Sequence, residues 1–228
     1  MELNKCPNCS GKLQLSSNRT KMVCTYCGGE FTLDDTTKKE VADTPITKDW
    51  FVYEWKYDVI KDDPKLGPVV SAFVRTLNDY DSSSDVEQYM REYLMNFQEI
   101  SAPGLREDKM RDIIKRLTDI VNPDERIILY NDDGLFTHGK TGVVVTTKRT
   151  FFIEKKNIRE AVHAAVPYFL FEVSTGLPVI KLGEKYANNI STFNSHYELM
   201  GTVAALICMY SYEQKPDRPK IRLTSTIK

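Results

Sequence analysis

The sequence predicts an α+β protein of unequal parts: a small four-cysteine module, a helical middle segment, and an antiparallel sheet with a C-terminal helix. Three observations carry this. Cys6, Cys9, Cys24 and Cys27 fall as two C-x2-C pairs within the first 27 residues. Apolar stripes of helical period run through residues 70–77, 86–100 and 105–121, and again through 195–212. Short runs rich in β-branched and aromatic residues precede and follow the middle stripes, bounded by turn-forming residues. With 228 residues, 41% hydrophobic and 28% charged, the chain has room for one large domain or a typical domain with an appendage. Its 31 Lys and Arg against 32 Asp and Glu leave a net charge of −1, which argues against a chain whose main work is wrapping nucleic acid. No run of about 18 apolar residues is present, and the opening residues Met1 to Pro7 lack the apolar core of a signal peptide. A cytoplasmic protein is expected.

The cysteines come first in the chain and carry the firmest signal. Two-residue spacing lets both sulfurs of one tight turn point at a single ion, and two such turns complete a tetrahedral site of four thiolates. Pro7 stiffens the first turn, and Gly28 and Gly29 permit the positive φ that follows the second. Residues 12–15 and 21–23 read as short strands joined by a turn at 16–19. Structural disulfides are rare in a cytoplasmic chain, and neither pair opens a helix as a thioredoxin-type pair does. The spacing therefore predicts one zinc ion on Cys6, Cys9, Cys24 and Cys27. Four protein ligands close the shell to water and substrate, so the ion is expected to be structural. Cys-Pro-Asn-Cys and Cys-Thr-Tyr-Cys-Gly-Gly resemble the two turns of the N-terminal zinc ribbons of bacterial multidomain proteins, a resemblance covering residues 1–33. A module this small has almost no core, so metal binding supplies most of its folding energy. Lys5, Lys12, Arg19 and Lys21 give it a weakly positive face.

Residues 34–49 are polar without sustained period and read as a flexible linker. From 51 to 59 the odd positions are Phe, Tyr, Trp, Tyr and Val while charges take the even ones, the pattern of a strand with one buried face. Three helices follow within 50–123. Pro68 suits the first turn of one whose face is Val70, Phe73, Val74 and Leu77. Ser84-Asp85-Val86-Glu87 reads as a capping box for the second. Met110, Ile113, Ile114, Leu117 and Ile120 mark the third, and the short Pro103-Gly104 break predicts that the last two pair antiparallel.

Residues 134–141 run Gly-Leu-Phe-Thr-His-Gly-Lys-Thr and satisfy the phosphate-loop pattern of nucleoside triphosphatases. That site needs Lys140-Thr141 to open a helix whose amides cradle the phosphates. Instead Gly142 leads into Val143-Val144-Val145-Thr146-Thr147, a β-branched run that disfavours helix, and Asp132 and Asp133 repel phosphate. The segment reads better as a connection between antiparallel strands. Nucleotide hydrolysis through Gly134 to Thr141 stays as a remote alternative.

Strands are expected at 126–130, 142–147, 150–153, 166–173, 177–182 and 184–191, and then the helix at 195–212. Arg126 to Asp133, Gly139-Lys140-Thr141-Gly142 with the valine run, Ala165-Val166-Pro167-Tyr168 and the last helix together resemble bacterial pleckstrin-homology-like domains over residues 124–212. A zinc ribbon joined to such a domain is similar to a family of uncharacterised bacterial proteins. The resemblance implies a curved antiparallel sheet plugged by a helix, and binding or assembly in place of catalysis. The first loop, 131–140, departs from lipid-binding members in carrying two Asp and little positive charge, so a membrane lipid is not the expected partner. His138, Lys140, Lys148, Arg149, Lys155, Lys156 and Arg159 form either a basic rim or a solvated edge. Residues 213–228 read as a basic, Pro-containing arm.

No catalytic constellation emerges. His138, His163 and His196 lack metal-ligand spacing, no G-x-S-x-G elbow occurs, and Cys208 sits in an apolar helix as a small hydrophobe. The expectation is a non-enzymatic zinc-binding adaptor or scaffold acting through protein contacts or self-association. The alternative is a nucleic-acid-binding regulator using the ribbon and the basic arm.

Overall fold

The computed structural model describes residues 6, 8–10, 12–15, 21–32, 45–97, 100–132, 141–183, 189–190 and 196–227. It is a mixed α+β structure in two compact units, Met1–Pro45 and Ile46–Lys228.

The first unit holds strands β1 (Leu13–Leu15), β2 (Lys21–Cys24) and β3 (Glu30–Thr32) in one antiparallel sheet of that order. The first two strands match the expectation, and the third was not anticipated. Leu13 pairs with Cys24 and Met22 with Phe31, so the sheet lays Leu13, Met22 and Phe31 around the buried Cys6 and Cys24, the apolar cluster among this unit's described residues. The expected turn at 16–19 and the linker residues 34–44 lie outside the described residues. Residues 45–48 correct the linker's far end. Ile46 is buried in the second unit's core, and its carbonyl accepts the Tyr53 hydroxyl at 3.1 Å.

The second unit contains helices α1 (Tyr57–Ile60), α2 (Leu66–Asp79), α3 (Ser83–Leu94), α4 (Glu107–Leu117) and α5 (Tyr197–Glu213). Its strands are β4 (Phe51–Glu54), β5 (Ile100–Ser101), β6 (Ile127–Asp132), β7 (Thr141–Thr146), β8 (Arg149–Glu154), β9 (Asn157–Val162), β10 (Tyr168–Ser174), β11 (Leu177–Leu182), β12 (Asn189–Ile190) and β13 (Ile221–Ser225). They form two five-stranded sheets. One is an antiparallel run, β5-β6-β7-β8-β9, and the other has the order β12-β11-β10-β13-β4. The strands expected at 126–130, 142–147, 150–153, 166–173 and 177–182 are present and β9 is an unanticipated addition, but the series divides between these sheets instead of forming one curved surface. β10 and β11 pair antiparallel through a two-residue turn, where Thr175 (φ 50°) and Gly176 (φ 81°) both take the left-handed conformation of a type I′ hairpin. Of the strand expected at 184–191, only Asn189–Ile190 is described, paired with β11.

β13 corrects the reading of residues 213–228 as an arm. Ile221 and Leu223 are fully buried, and the strand lies between β10 and β4, parallel to both. Arg218 fixes its approach, donating to the carbonyls of His163 and Val166 and to Ser211. The strand predicted at 51–59 stops at Glu54, and Tyr57–Ile60 turns helical. The Asp63 carboxylate then accepts the N–H groups of Lys65 (2.9 Å) and Leu66 (2.7 Å), which starts α2 just ahead of Gly67-Pro68.

One apolar core joins α2, α3 and α5 to the β4–β13 sheet and to one face of the antiparallel run, drawing on residues from Ile46 to Leu223. α5 is buried from Leu199 to Ser211, as a helix apolar on all sides must be. α2 crosses it at Gly201, which lies so close to the Val69 carbonyl that a side chain has no room. The opposite face of the antiparallel run covers a second core, where Met110, Ile113 and Leu117 of α4 lie on Tyr130, Val144, Phe151 and Ile153.

Two local expectations fail at α3. Its N-terminus at Ser83 is capped from a distance. The Glu213 carboxylate accepts the Ser83 backbone N–H at 2.6 Å and also its hydroxyl. The carboxylate of Glu87, freed from the predicted capping box, instead binds the Arg126 guanidinium through two bonds of 3.1 and 3.2 Å and accepts the Tyr210 hydroxyl. Nor do α3 and α4 close on one another as a helical pair. A groove of about 850 Å³ lies between them.

Candidate metal centre

β1 ends one side of the first turn's loop and β2 delivers Cys24 into the second, so both cysteine pairs meet at one end of the small sheet. All four Sγ atoms lie within 4.8 Å of one another. Cys6 faces Cys27 at 3.6 Å and Cys9 faces Cys24 at 3.5 Å. Thiolates about 2.3 Å from one ion at tetrahedral angles stand about 3.8 Å apart, so this spacing fits a single four-coordinate metal. Backbone amides point at the sulfurs as a thiolate site requires. Asn8 N–H reaches Cys6 Sγ at 3.4 Å, while those of Tyr26 (3.4 Å) and Cys27 (3.5 Å) reach Cys24 Sγ. The Cys27 amide, with Tyr26 adding to it against the opposing effect of burial, lowers the Cys24 thiol to about 6, where a metal ligand is held as thiolate.

The two turns repeat the same backbone device. The Gly28 N–H bonds to the Cys24 carbonyl at 2.9 Å with Gly28 at φ 69°, and the Ser10 N–H bonds to the Cys6 carbonyl at 2.7 Å with Ser10 at φ 58°. The sequence points to the glycine only. Ser10 gives no signal, because its type does not announce a left-handed conformation. Cys6 and Cys24 are buried and Cys9 and Cys27 exposed, and Tyr26 projects from the second turn with 86% of its surface open.

The remaining candidates disperse. Among the described residues, these four cysteines are the one cluster of metal-ligating side chains. Residues 134–140 of the phosphate-loop pattern lie outside the described residues, but Thr141 and Gly142 open strand β7, not a helix. Gly142 pairs with Asp132. Its φ is 141°, and a Cβ there would collide with the Asn131 carbonyl oxygen of β6 and stand 3.0 Å from the Tyr130 ring, so close strand approach explains the glycine. Of the expected basic rim, Arg149 is committed to Glu125 (2.6 Å) and Glu160 (2.8 Å), Lys148 to Asp124, and Arg159 faces Glu154 at 3.7 Å. His163 is wholly buried, its Nε2 2.9 Å from the Thr150 hydroxyl, and burial lowers it to about 3, so it stays neutral. His196 stacks edge-on with Phe97 at 4.3 Å. Burial pushes the Cys208 thiol far up, the state of a small core hydrophobe and not a nucleophile. No helix among the described residues is long and apolar enough to cross a membrane. No family model, no curated protein and no solved structure matches the chain.

Proposed function

We propose that this chain is a non-enzymatic adaptor, with one structural zinc ion on Cys6, Cys9, Cys24 and Cys27 and a body that binds a protein partner or a second copy. The four-sulfur cluster carries the reading. Its spacing suits a tetrahedral ion, its donors are soft thiolates of the kind zinc takes in structural sites, and a shell filled by four cysteines leaves no position for a substrate. The pleckstrin-homology-like part of the reading draws on the antiparallel run β6–β9 and the long helix α5 that follows the strands. The parallel strands β4 and β13 go beyond what such a domain implies.

Binding of nucleic acid is less well supported, because Arg218 and Arg222 of the basic segment are engaged within the body. Arg222 lies over the Tyr168 ring and 3.9 Å from Glu54. Native mass spectrometry of the untagged chain, purified without chelator or added metal, tests the proposal. One zinc per chain with no retained nucleotide or nucleic acid is the expected result, and the same spectrum reads self-association. A chain without metal overturns the zinc assignment, and a retained nucleotide overturns the non-enzymatic one.

A further inference from the structure

We infer that the groove between α3 and α4 is a docking site for an acidic amphipathic helix of a partner protein, an assignment that rests on the adaptor reading above. The groove holds about 850 Å³. Its walls are helices of 12 and 11 residues, or about 18 and 16 Å long at 1.5 Å per residue. Volume over length gives a section of about 50 Å², roughly half that of an α-helix 10–12 Å across. That is the space a helix fills when half sunk, and more than one extended hydrocarbon chain needs.

The lining has the chemistry for one face of such a helix. Met90 and Leu94 of α3 and Met110 and Leu117 of α4, each almost wholly buried in its own core, back the groove, while Pro103, Ile114, Val121 and Ile127 complete its apolar lining. Ile114 stands at the lip, 44% exposed, although Met110, Ile113 and Leu117 of the same helix are buried. The apolar stripe of α4 is therefore covered by the antiparallel sheet along most of its width, and its edge at Ile114 is left open to the groove.

Charge decides the kind of helix. Two of the three carboxylates in the lining are neutralised from within, Glu87 by Arg126 (with a further hydrogen bond from the Tyr210 hydroxyl) and Glu125 by Arg149. The third, Glu107, accepts the Gly104 N–H at 3.2 Å. The cations are less committed. Arg111 and Lys115, one turn apart on α4, are exposed and enter no ion pair among the described residues. On the facing wall the largely exposed Arg91 reaches only 3.8 Å from Glu87. Asp108 and Asp112 of α4 do not line the groove. An apolar slot with spare cations on both rims complements an apolar stripe flanked by Asp or Glu.

A displayed library of helix-forming 18-residue peptides, selected on the full chain, tests this. Enriched sequences are expected to repeat apolar residues at i, i+3, i+4 and i+7 with acidic flanks. Their affinity, read by fluorescence anisotropy, should fall about tenfold or more in the exposed-site variants Ile114→Asp and Arg111→Glu/Lys115→Glu. Peptides with Lys in place of the acidic flanks should regain binding to the charge-reversed variant. Selected helices that bind wild type and variants equally overturn the groove assignment and leave the adaptor reading standing. Enrichment without acidic flanks overturns the partner chemistry. If no peptide is enriched the helix assignment falls whatever else binds, and oleate bound in a manner lost in Ile114→Asp would then mark the groove as a lipid site while the adaptor reading stands on its own test.

Discussion

Gly201→Ala sets helix propensity against packing, and the two predict opposite signs. Gly201 is inside α5, where replacing Gly by Ala should stabilise an isolated helix by about 1 kcal/mol. In the body, however, the new methyl would fall inside contact distance of the Val69 carbonyl oxygen, and 2.9 Å from both the Ala72 Cβ and the Phe73 nitrogen. Carbon atoms rest about 3.5–4.0 Å apart, so α2 and α5 must separate by about 1 Å along their crossing. Those obstacles are mostly backbone and cannot rotate away. α5 cannot retreat either, since its opposite side is packed from Leu199 to Ser211. Overpacking of this kind costs about 1–3 kcal/mol when side chains give way, and here the upper end applies. The net expectation is a loss of about 2 kcal/mol, or a melting temperature lower by about 4–8 °C for a domain of this size. Urea unfolding followed by tryptophan fluorescence measures it, because Trp50 and Trp55 sit against this core. A variant as stable as wild type, or more stable, would refute the close crossing of α2 and α5.

Three further outcomes follow from particular contacts. If the four cysteines hold the proposed ion, a chelator should unfold the first unit while the second keeps its own melting transition, since the two are separate compact units and the described residues of the small one include only three buried apolar side chains; loss of both transitions on chelation would contradict this. His163, held neutral by burial with a value of about 3 against an ordinary 6.5, contributes stability that is complete above about pH 6.5 and lost as pH falls toward 3. Stability should therefore drop by about 1.4 kcal/mol per pH unit across pH 6 to 4 from this group, and His163→Leu should remove that slope in a pH series of urea titrations. Arg126→Met strips the buried Glu87 of its two-bonded partner and should cost about 1–2 kcal/mol, less than for a wholly buried pair because the Arg126 side chain is 66% exposed; adding Glu87→Gln should recover part of it, and an undiminished melting temperature in the single variant would count against the bond.

What could be read from the residues was local. The two C-x2-C pairs place their sulfurs through turns of a few residues, so spacing alone located Cys6, Cys9, Cys24 and Cys27. The strands β6, β7, β8, β10 and β11 follow from β-branched and aromatic runs cut by turn residues, and α2, α3, α4 and α5 follow from their apolar stripes. Even the phosphate-loop coincidence was decided by neighbours, since the valines after Gly142 favour β7 over a helix.

What was not legible depends on partners far away in sequence. A capping box is a statement about four consecutive residues, and Ser84 to Glu87 satisfied it. Glu213 reached Ser83 across 130 positions, and Arg126 took the Glu87 carboxylate that would have closed the box. Residues 221–225 looked like part of an arm because Pro216, Pro219 and the basic side chains dominate the segment's composition. Its strand has only two buried side chains, Ile221 and Leu223, too few to mark a period, and its stability comes from the edges that β4 and β10 offer on either side. Gly201 carries no local sign that it is needed, since a glycine within a helix stripe only lowers its propensity. The groove belongs to the same class. The stripes of α3 and α4 were correctly placed, and pairing them seemed the simplest use. Each instead spends its buried residues elsewhere, α3 on the core shared with α5 and α4 on Tyr130, Val144 and Phe151. The two helices are thereby held apart by different cores, and the slot between them is set by the placement of both sheets. A sequence stripe can say that a helix has a side to bury, but only the tertiary fold decides which neighbour receives it and which side is left for a partner.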